Sequence, residues 1–402
     1  MVTLVRVPGT AGVIWMHIPD GYLSPATCAV GFAVAVPMWA VASRRVTKTV
    51  KTRQVPLLAL LSAMCFLIMM FNVPIPDGTT AHAVGGALVA VLLGPWAALI
   101  AVSVALAFQA LLFGDGGVLA YGVNVVNMGI VLPFVSYGVY KLLARGSTLT
   151  SPRRALAAAA GGYIGLNVAA LCCGIELGIQ PTLFHNADGQ PLYSPYHLSQ
   201  SVPAMLLAHL AVAGVVEAVL TGGVVAYLQR ANVPVLRINH PDVPVDDADK
   251  VRTPLRLRPL YIALGAVALA VVLTPIGLLA PGGAFGEDAP EDLDLQKYHL
   301  SAVPAGLVKW NGLWHNAILG GYDFSHDAHP TLGYLLSAVV GIAVIGVAVF
   351  LVAFLARRIS LARNGGALAV AGVGAGSGDS GGATASRASG SGDSTSNRTA
   401  DG

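Results

Sequence analysis

Charge is scarce in this chain: Asp, Glu, Lys and Arg make up only 11% of its 402 residues. Soluble domains carry about 25%, so a water-exposed globule is excluded as the main architecture. Cysteine occurs four times, at Cys28, Cys65, Cys172 and Cys173, always in or beside an apolar run and never in CxxC spacing. These cysteines read as small buried apolar residues rather than as ligands. The chain has no G-x-x-x-x-G-K-[ST] segment and no H-E-x-x-H segment. ATP hydrolysis by a P-loop and zinc proteolysis therefore lack their chemistry. A net charge of +3 is too small to argue for nucleic acid, and the basic residues cluster at helix ends instead.

Apolar residues are abundant. They make up 55% of the chain, and the mean hydropathy is +0.70. Several runs approach the roughly 20 residues needed to cross a bilayer, so the chain reads as an all-α polytopic membrane protein. Nine spans are expected, at about 25–43, 55–73, 81–95, 96–113, 118–142, 155–178, 201–228, 259–280 and 332–356. Spans three and four share a break at Gly94-Pro95. Basic clusters follow spans one (Arg44, Arg45, Lys48), five (Lys141, Arg145, Arg153, Arg154), seven (Arg230, Arg237, Lys250) and nine (Arg357, Arg358, Arg363). The acids Asp77, Asp115, Asp188, Glu287, Asp288 and Glu291 fall in the alternate loops. By the positive-inside rule, the N-terminus is outside and the C-terminus cytoplasmic in the cell membrane.

Five segments follow from this pattern. Residues 1–15 are a poor signal peptide; they read as a misassigned start, as a removable leader, or as a retained tail. Residues 16–230 form a seven-span bundle. Residues 231–258, with Pro234, Pro241, Pro244 and Pro254, form a cytoplasmic linker. Residues 259–358 form a two-span module around an outer loop. Residues 359–402 form a Gly/Ser-rich tail expected to be disordered.

The segment Met16-His17-Ile18-Pro19-Asp20-Gly21-Tyr22-Leu23-Ser24-Pro25 carries the clearest chemistry. A chain starting at Met16 offers a terminal amine, the His17 backbone nitrogen and the His17 imidazole to one ion. Nitrogen donors in a square plane suit Ni(II) and Cu(II) better than Mg(II), Ca(II) or Zn(II). With residues 1–15 attached there is no such amine. His82, in Thr80-Ala81-His82-Ala83-Val84-Gly85-Gly86, lies just inside a helix start on the same expected face. An ionisable group at membrane depth is costly and marks function, so His82 is the candidate fourth nitrogen ligand. The competing reading is an interfacial histidine bonded to backbone.

Asn124 and Asn127, at i and i+3, are neighbours on a helix. They read either as second-shell partners for the imidazoles or as interhelical hydrogen bonds, and Gln109 reads the same way. Glu176 is a buried-looking acid at a span end. Glu217 and His209 fall roughly on one face, as a polar contact or an ion path. The loop histidines His185, His197, His299, His315, His326 and His329 read as solvated.

Five ordered motifs, the Met16–Pro25 segment, His82–Gly86, Leu93–Trp96, Gln109–Gly117 and Asn124–Gly129, resemble the CbiM/NikM family of metal-specific subunits of energy-coupling-factor transporters for cobalt and nickel. The resemblance covers about 16–230. It implies a seven-span S-component, and the Met16 amine, His17 and His82 as metal ligands. Residues 259–358 resemble the small N subunit, fused here as in NikMN proteins. The resemblance further implies Ni²⁺ or Co²⁺ as transported substrate and no prosthetic group. It implies a separate transmembrane coupling subunit and cytoplasmic ABC-type ATPases, so the chain itself is no enzyme. Ala29, Gly31, Ala33 and Ala35 of span one are a candidate docking face for the coupling subunit. Alternative functions are a metal sensor or assembly protein that does not translocate the ion, and a vitamin-specific S-component.

Overall fold

The computed structural model describes residues 17–51, 54–74, 80–246, 259–279, 285–322 and 329–374. Met16, Asp77, Lys250, Pro254 and His326, named above, lie outside the described residues. Met1–Ala353 form one compact unit and Phe354–Gly402 a second. The fold is mostly helical. Among the described residues, six helical segments are long and apolar enough to cross a membrane, and two shorter apolar helices accompany them. These establish a multi-pass membrane protein.

Local chemistry sets the helix starts. α1 (Pro25–Thr49) begins at Pro25, with the Ser24 hydroxyl accepting from the Thr27 N–H. α2 spans Val55–Met69. α3 (Gly86–Leu93) and α4 (Pro95–Phe108) meet at Gly94, whose φ of 89° is open to glycine at little cost. α5 (Tyr121–Asn124) runs through a π-helical stretch, Val125–Val131, into α6 (Leu132–Leu143). α7 (Pro152–Gly178) starts on a Ser151 cap and is followed by the short α8 (Gln180–Leu183). α9 (Leu198–Ala208) passes through a second π-helical stretch, His209–Ala213, into α10 (Gly214–Ala231), and α11 (Val233–Leu236) follows. α12 (Pro259–Leu273) tightens into a 3-10 turn over Thr274–Leu279. The outer loop carries α13 (Ala305–Trp310), and α14 (Pro330–Gly374) closes the described chain.

The core lies on α3 and α4. Every residue of α3 is buried, as expected of a helix apolar on all sides. This is where the structure departs from a span at 81–95. Only eight residues are helical, about 12 Å of rise, against a hydrocarbon layer of about 30 Å. Before α3 the chain is extended, and Thr80–Ala81 pair antiparallel with Val73–Pro74. Cys28 and Cys65 are buried and Cys172 and Cys173 half-buried, all as free thiols.

Two further expectations change. Gly31 and Ala35 face inward: Gly31 lies against Gly122 and Val123 with no room for a Cβ. Only Ala29 and Ala33 of the small-residue set point away from the bundle. α14 runs to Gly374, into the stretch expected to be disordered, while 375–402 lie outside the described residues. The Ala367–Ala371 segment favours helix, and extending an existing helix needs no new nucleus.

Residues 285–322 and the start of α14 pack on the earlier helices, within the same compact unit. Tyr334 donates to the Met70 carbonyl at 2.9 Å, and Gly341 sits against the ring of Phe66. Residues 285–322 also pack against the segment that begins at His17.

Candidate metal centre

The segment from His17 to Ser24 is a buried loop, held by backbone bonds. The Asp20 carboxylate accepts the N–H groups of Val118, Leu119 and Ala120 at 3.0, 2.8 and 3.0 Å. Burial pushes the Asp20 carboxyl up, while these three donors pull it down. The Ile18 carbonyl receives the Gly117 N–H at 2.9 Å and the Asn124 amide at 3.1 Å. Ser24 donates to the Gln180 side chain, and Ser194 donates to the Tyr22 carbonyl. Gly116 and Gly117 make this approach possible. A Cβ on Gly116 would lie 2.9 Å from the His17 Cβ, and one on Gly117 would overlap Asp20.

The loop delivers His17 to His82. Their ring centroids are 5.2 Å apart, with an interplanar angle of 64°. His17 is 3% exposed and His82 7%. The His17 Nε2 is buried with no hydrogen-bond partner. Its Nδ1 lies 3.2 Å from an Asp115 carboxylate oxygen, out of line for a good hydrogen bond. His82 sits in the extended stretch before α3, with Nδ1 3.0 Å from the Ala83 carbonyl.

Glu217 fixes that stretch. Its carboxylate accepts the Val84 and Gly85 N–H groups at 2.9 and 2.8 Å and the Ala87 N–H at 3.3 Å. It thereby answers the open donors at the start of α3, where an anion is favoured. The expected Glu217–His209 contact is replaced by this one, because three buried N–H donors outbid one imidazole. His209 instead places Nδ1 2.7 Å from the Met205 carbonyl.

A cavity of about 70 Å³ adjoins the pair, lined in part by His17, His82, Asn124, Asn127, His209 and Glu287. The asparagines are brought here, but neither bonds an imidazole. Asn124 holds the Ile18 carbonyl, and Asn127 donates to Glu176 at 2.6 Å. Among the described residues, no three His, Cys, Asp or Glu side chains are grouped to hold a metal. The two imidazoles and the backbone at His17 are the nitrogen groups that meet there.

Four residues join this neighbourhood that sequence reasoning had not placed there. Asp20 anchors the loop and Asp115 faces His17. Glu287, from the stretch before α13, lines the cavity. Tyr322, from the stretch after α13, donates to Asp115 at 2.6 Å and accepts from the Gln109 amide at 3.1 Å. Burial and the Asp115 charge push the Tyr322 phenol well up, so it stays a donor. Nearby, Tyr22 donates to the Asp288 carbonyl at 2.8 Å and Tyr196 to its carboxylate at 3.2 Å. A sequence signal existed for Asp115, which is flanked by Gly114 and Gly116, both with positive φ. None existed for Tyr322.

A helical membrane bundle that seats a buried histidine pair defines a polytopic membrane protein with two imidazoles in contact in its interior. Residues 17–235 match the CbiM family model, "Cobalt uptake substrate-specific transmembrane region", and the chain belongs to that family. It is 45% identical over 342 residues to the "Fused nickel transport protein NikMN" of Rhodobacter capsulatus, covering 82% of this chain and 95% of that one. It is 45% identical over 336 residues to the "Probable fused nickel transport protein LarMN" of Lactiplantibacillus plantarum, with the same coverage of both chains. The crystal structure of a truncated transition metal transporter matches with a TM-score of 0.50 and 57% identity, covering 53% of this chain and 98% of that one.

Proposed function

We propose that this protein is the substrate-capturing membrane subunit of an importer for Ni²⁺ or Co²⁺, driven by ATP through an energy-coupling-factor arrangement. The observation that carries this reading is the buried His17–His82 pair, with neither ring nitrogen of His17 satisfied by a hydrogen bond. In a chain that begins at Met16, the amine, the His17 backbone nitrogen, the His17 imidazole and the His82 imidazole give four nitrogen donors. That set suits Ni(II), and Co(II) accepts the same donors. Relatives named as fused nickel transport proteins align with both halves of the chain, which supports the cargo and the architecture.

Energy must come from partners, since the chain carries no P-loop. A transmembrane coupling subunit and two cytoplasmic ATPases fill that role in this reading. The same reading places His17 on the outer face and the C-terminus in the cytoplasm. α1 supports it: the helix begins beside the site and ends in Arg44, Arg45 and Lys48 after 25 residues, about 37 Å away.

The test is Ni²⁺ and Co²⁺ binding, and ATP-dependent uptake with the partners, by protein with a verified Met16 amine. The expected result is one-to-one binding that His17→Ala and His82→Ala each abolish. Parental binding and uptake by both variants, correctly inserted, would sink the proposal. Equal binding by a form retaining 1–15 would remove the amine from the ligand set. Binding without ATP-dependent uptake would favour a sensor.

A further inference from the structure

We propose that Tyr322 of the second module is a positioning residue of the metal site, acting through Asp115 on the imidazole of His17. This rests on the reading of His17 as a ligand.

Three side chains form a line across the two modules. The Tyr322 hydroxyl donates to one oxygen of Asp115 at 2.6 Å, and the other oxygen lies 3.2 Å from the His17 Nδ1. Gln109 fixes the phenol from behind, donating to its oxygen at 3.1 Å. All four residues are buried. A carboxylate beside a metal-binding imidazole orients the ring and raises its basicity, and such outer partners are worth about ten- to a hundred-fold in metal affinity.

The covalent geometry of histidine gives Asp115 this role in the metal-bound ring. A chelate closed through the His17 backbone nitrogen uses Nδ1 of the same residue. A half-turn about Cβ–Cγ carries Nδ1 to the opposite edge of the ring. It leaves Nε2 on the edge that faces Asp115, where it can donate to the carboxylate. The Tyr322 hydroxyl helps to fix the carboxylate that meets the ring.

The structure holds Tyr322 in place at a cost. Its φ is 63°, in the left-handed region where a bulky L residue is strained. Such strain persists only where the surroundings over-determine it, and it concentrates at functional sites. Here the Tyr322 N–H donates to the Leu319 carbonyl at 3.0 Å, and Ser337 donates to the Tyr322 carbonyl at 3.1 Å. The ring stacks on Phe113, with centroids 4.9 Å apart, and meets Phe66 and Tyr334 at 6.3 and 5.4 Å. Packing alone would be served by phenylalanine. The hydroxyl goes to Asp115.

The experiment compares Ni²⁺ affinity and the visible absorption of bound Ni²⁺ in full-chain protein beginning at Met16, for Tyr322→Phe, Asp115→Asn, the double variant and His17→Ala. Tyr322→Phe keeps the ring and removes only the hydroxyl. The expected result is an affinity about ten- to a hundred-fold lower and a shifted Ni²⁺ spectrum in a protein that still inserts and unfolds cooperatively without metal. Asp115→Asn should cost at least as much, and the double variant no more than Asp115→Asn alone, the signature of one coupled path. Parental affinity and spectrum in Tyr322→Phe, or losses that simply add, overturn the proposal. If Tyr322→Phe does not insert, parental affinity in Asp115→Asn overturns it equally. Loss of binding in His17→Ala with parental Tyr322→Phe rejects this inference alone. Retained binding in His17→Ala rejects the site itself.

Discussion

The two ends of α3 face the same physical problem and solve it differently. A helix of eight residues leaves most of its terminal N–H and C=O groups without helical partners. At the His82 end the partner is a carboxylate, Glu217, which takes three N–H groups. At the Gly94 end it is a neutral amide: Asn239, from the segment after α11, donates to the Ala90 and Val91 carbonyls at 3.3 and 3.1 Å. The charged partner stands beside the histidine pair, the neutral one at the opposite end. Anions favour helix N-termini, so the end next to His82 receives the stronger, charge-assisted bonds. The other end needs only closure.

Removing each partner separates the two roles. The largest effect is expected for Glu217→Ala, which leaves three buried donors unsatisfied. At about 1–3 kcal/mol for each orphaned group, a loss of at least about 3 kcal/mol is expected from denaturant unfolding in detergent. Ni²⁺ affinity should fall with it, because the His82 segment loses its anchor. Parental affinity in a folded Glu217→Ala protein would break the comparison. Asn239→Ala should cost about 1 kcal/mol and leave Ni²⁺ affinity within about two-fold of the parent. A large affinity loss there would show that both ends serve the site.

The smallest effect is a pH dependence at the Asn239 end. His240 stacks near Tyr137 and Tyr140, with centroids 6.4 and 5.4 Å away. Burial, then the Arg154 charge, lowers it from 6.5 to about 4. The unfolded chain takes up a proton that the fold refuses. Its contribution is therefore intact above about pH 6.5 and is lost as pH falls from there towards 4. A His240→Gln protein should show a shallower loss of melting temperature over that window, with Ni²⁺ affinity at pH 7 unchanged. Parallel curves would remove His240 from the account.

Much of this fold was legible in the sequence, for local reasons. The spans are runs of apolar residues, and their ends carry proline, glycine and basic side chains. His17 and His82 stood out because each is a polar group at an apolar boundary, and the structure sets their rings 5.2 Å apart. The short α3 was less legible, since hydropathy registers burial but not whether a buried run is long enough to be helical throughout. Glu217 was visible as a costly buried acid, yet its partners are backbone N–H groups some 130 residues away, which no side-chain pattern announces. Asn124 and Asn127 were placed near the site, but the groups they bond were not foreseen.

The sequence by itself determined a multi-pass helical membrane protein, its family, and the two histidines worth watching. Hydropathy, capping residues and motif order are properties of neighbouring positions, so they survive without a fold. The tertiary structure alone decided who answers each buried polar group. Asp20 meets the N–H groups of 118–120, Glu217 those of Val84, Gly85 and Ala87, and Asp115 a tyrosine 207 residues further along the chain. Away from water a charge or an N–H must find a partner at close range. Which partner lies within 3 Å is set by how the helices cross and where the outer loop lands.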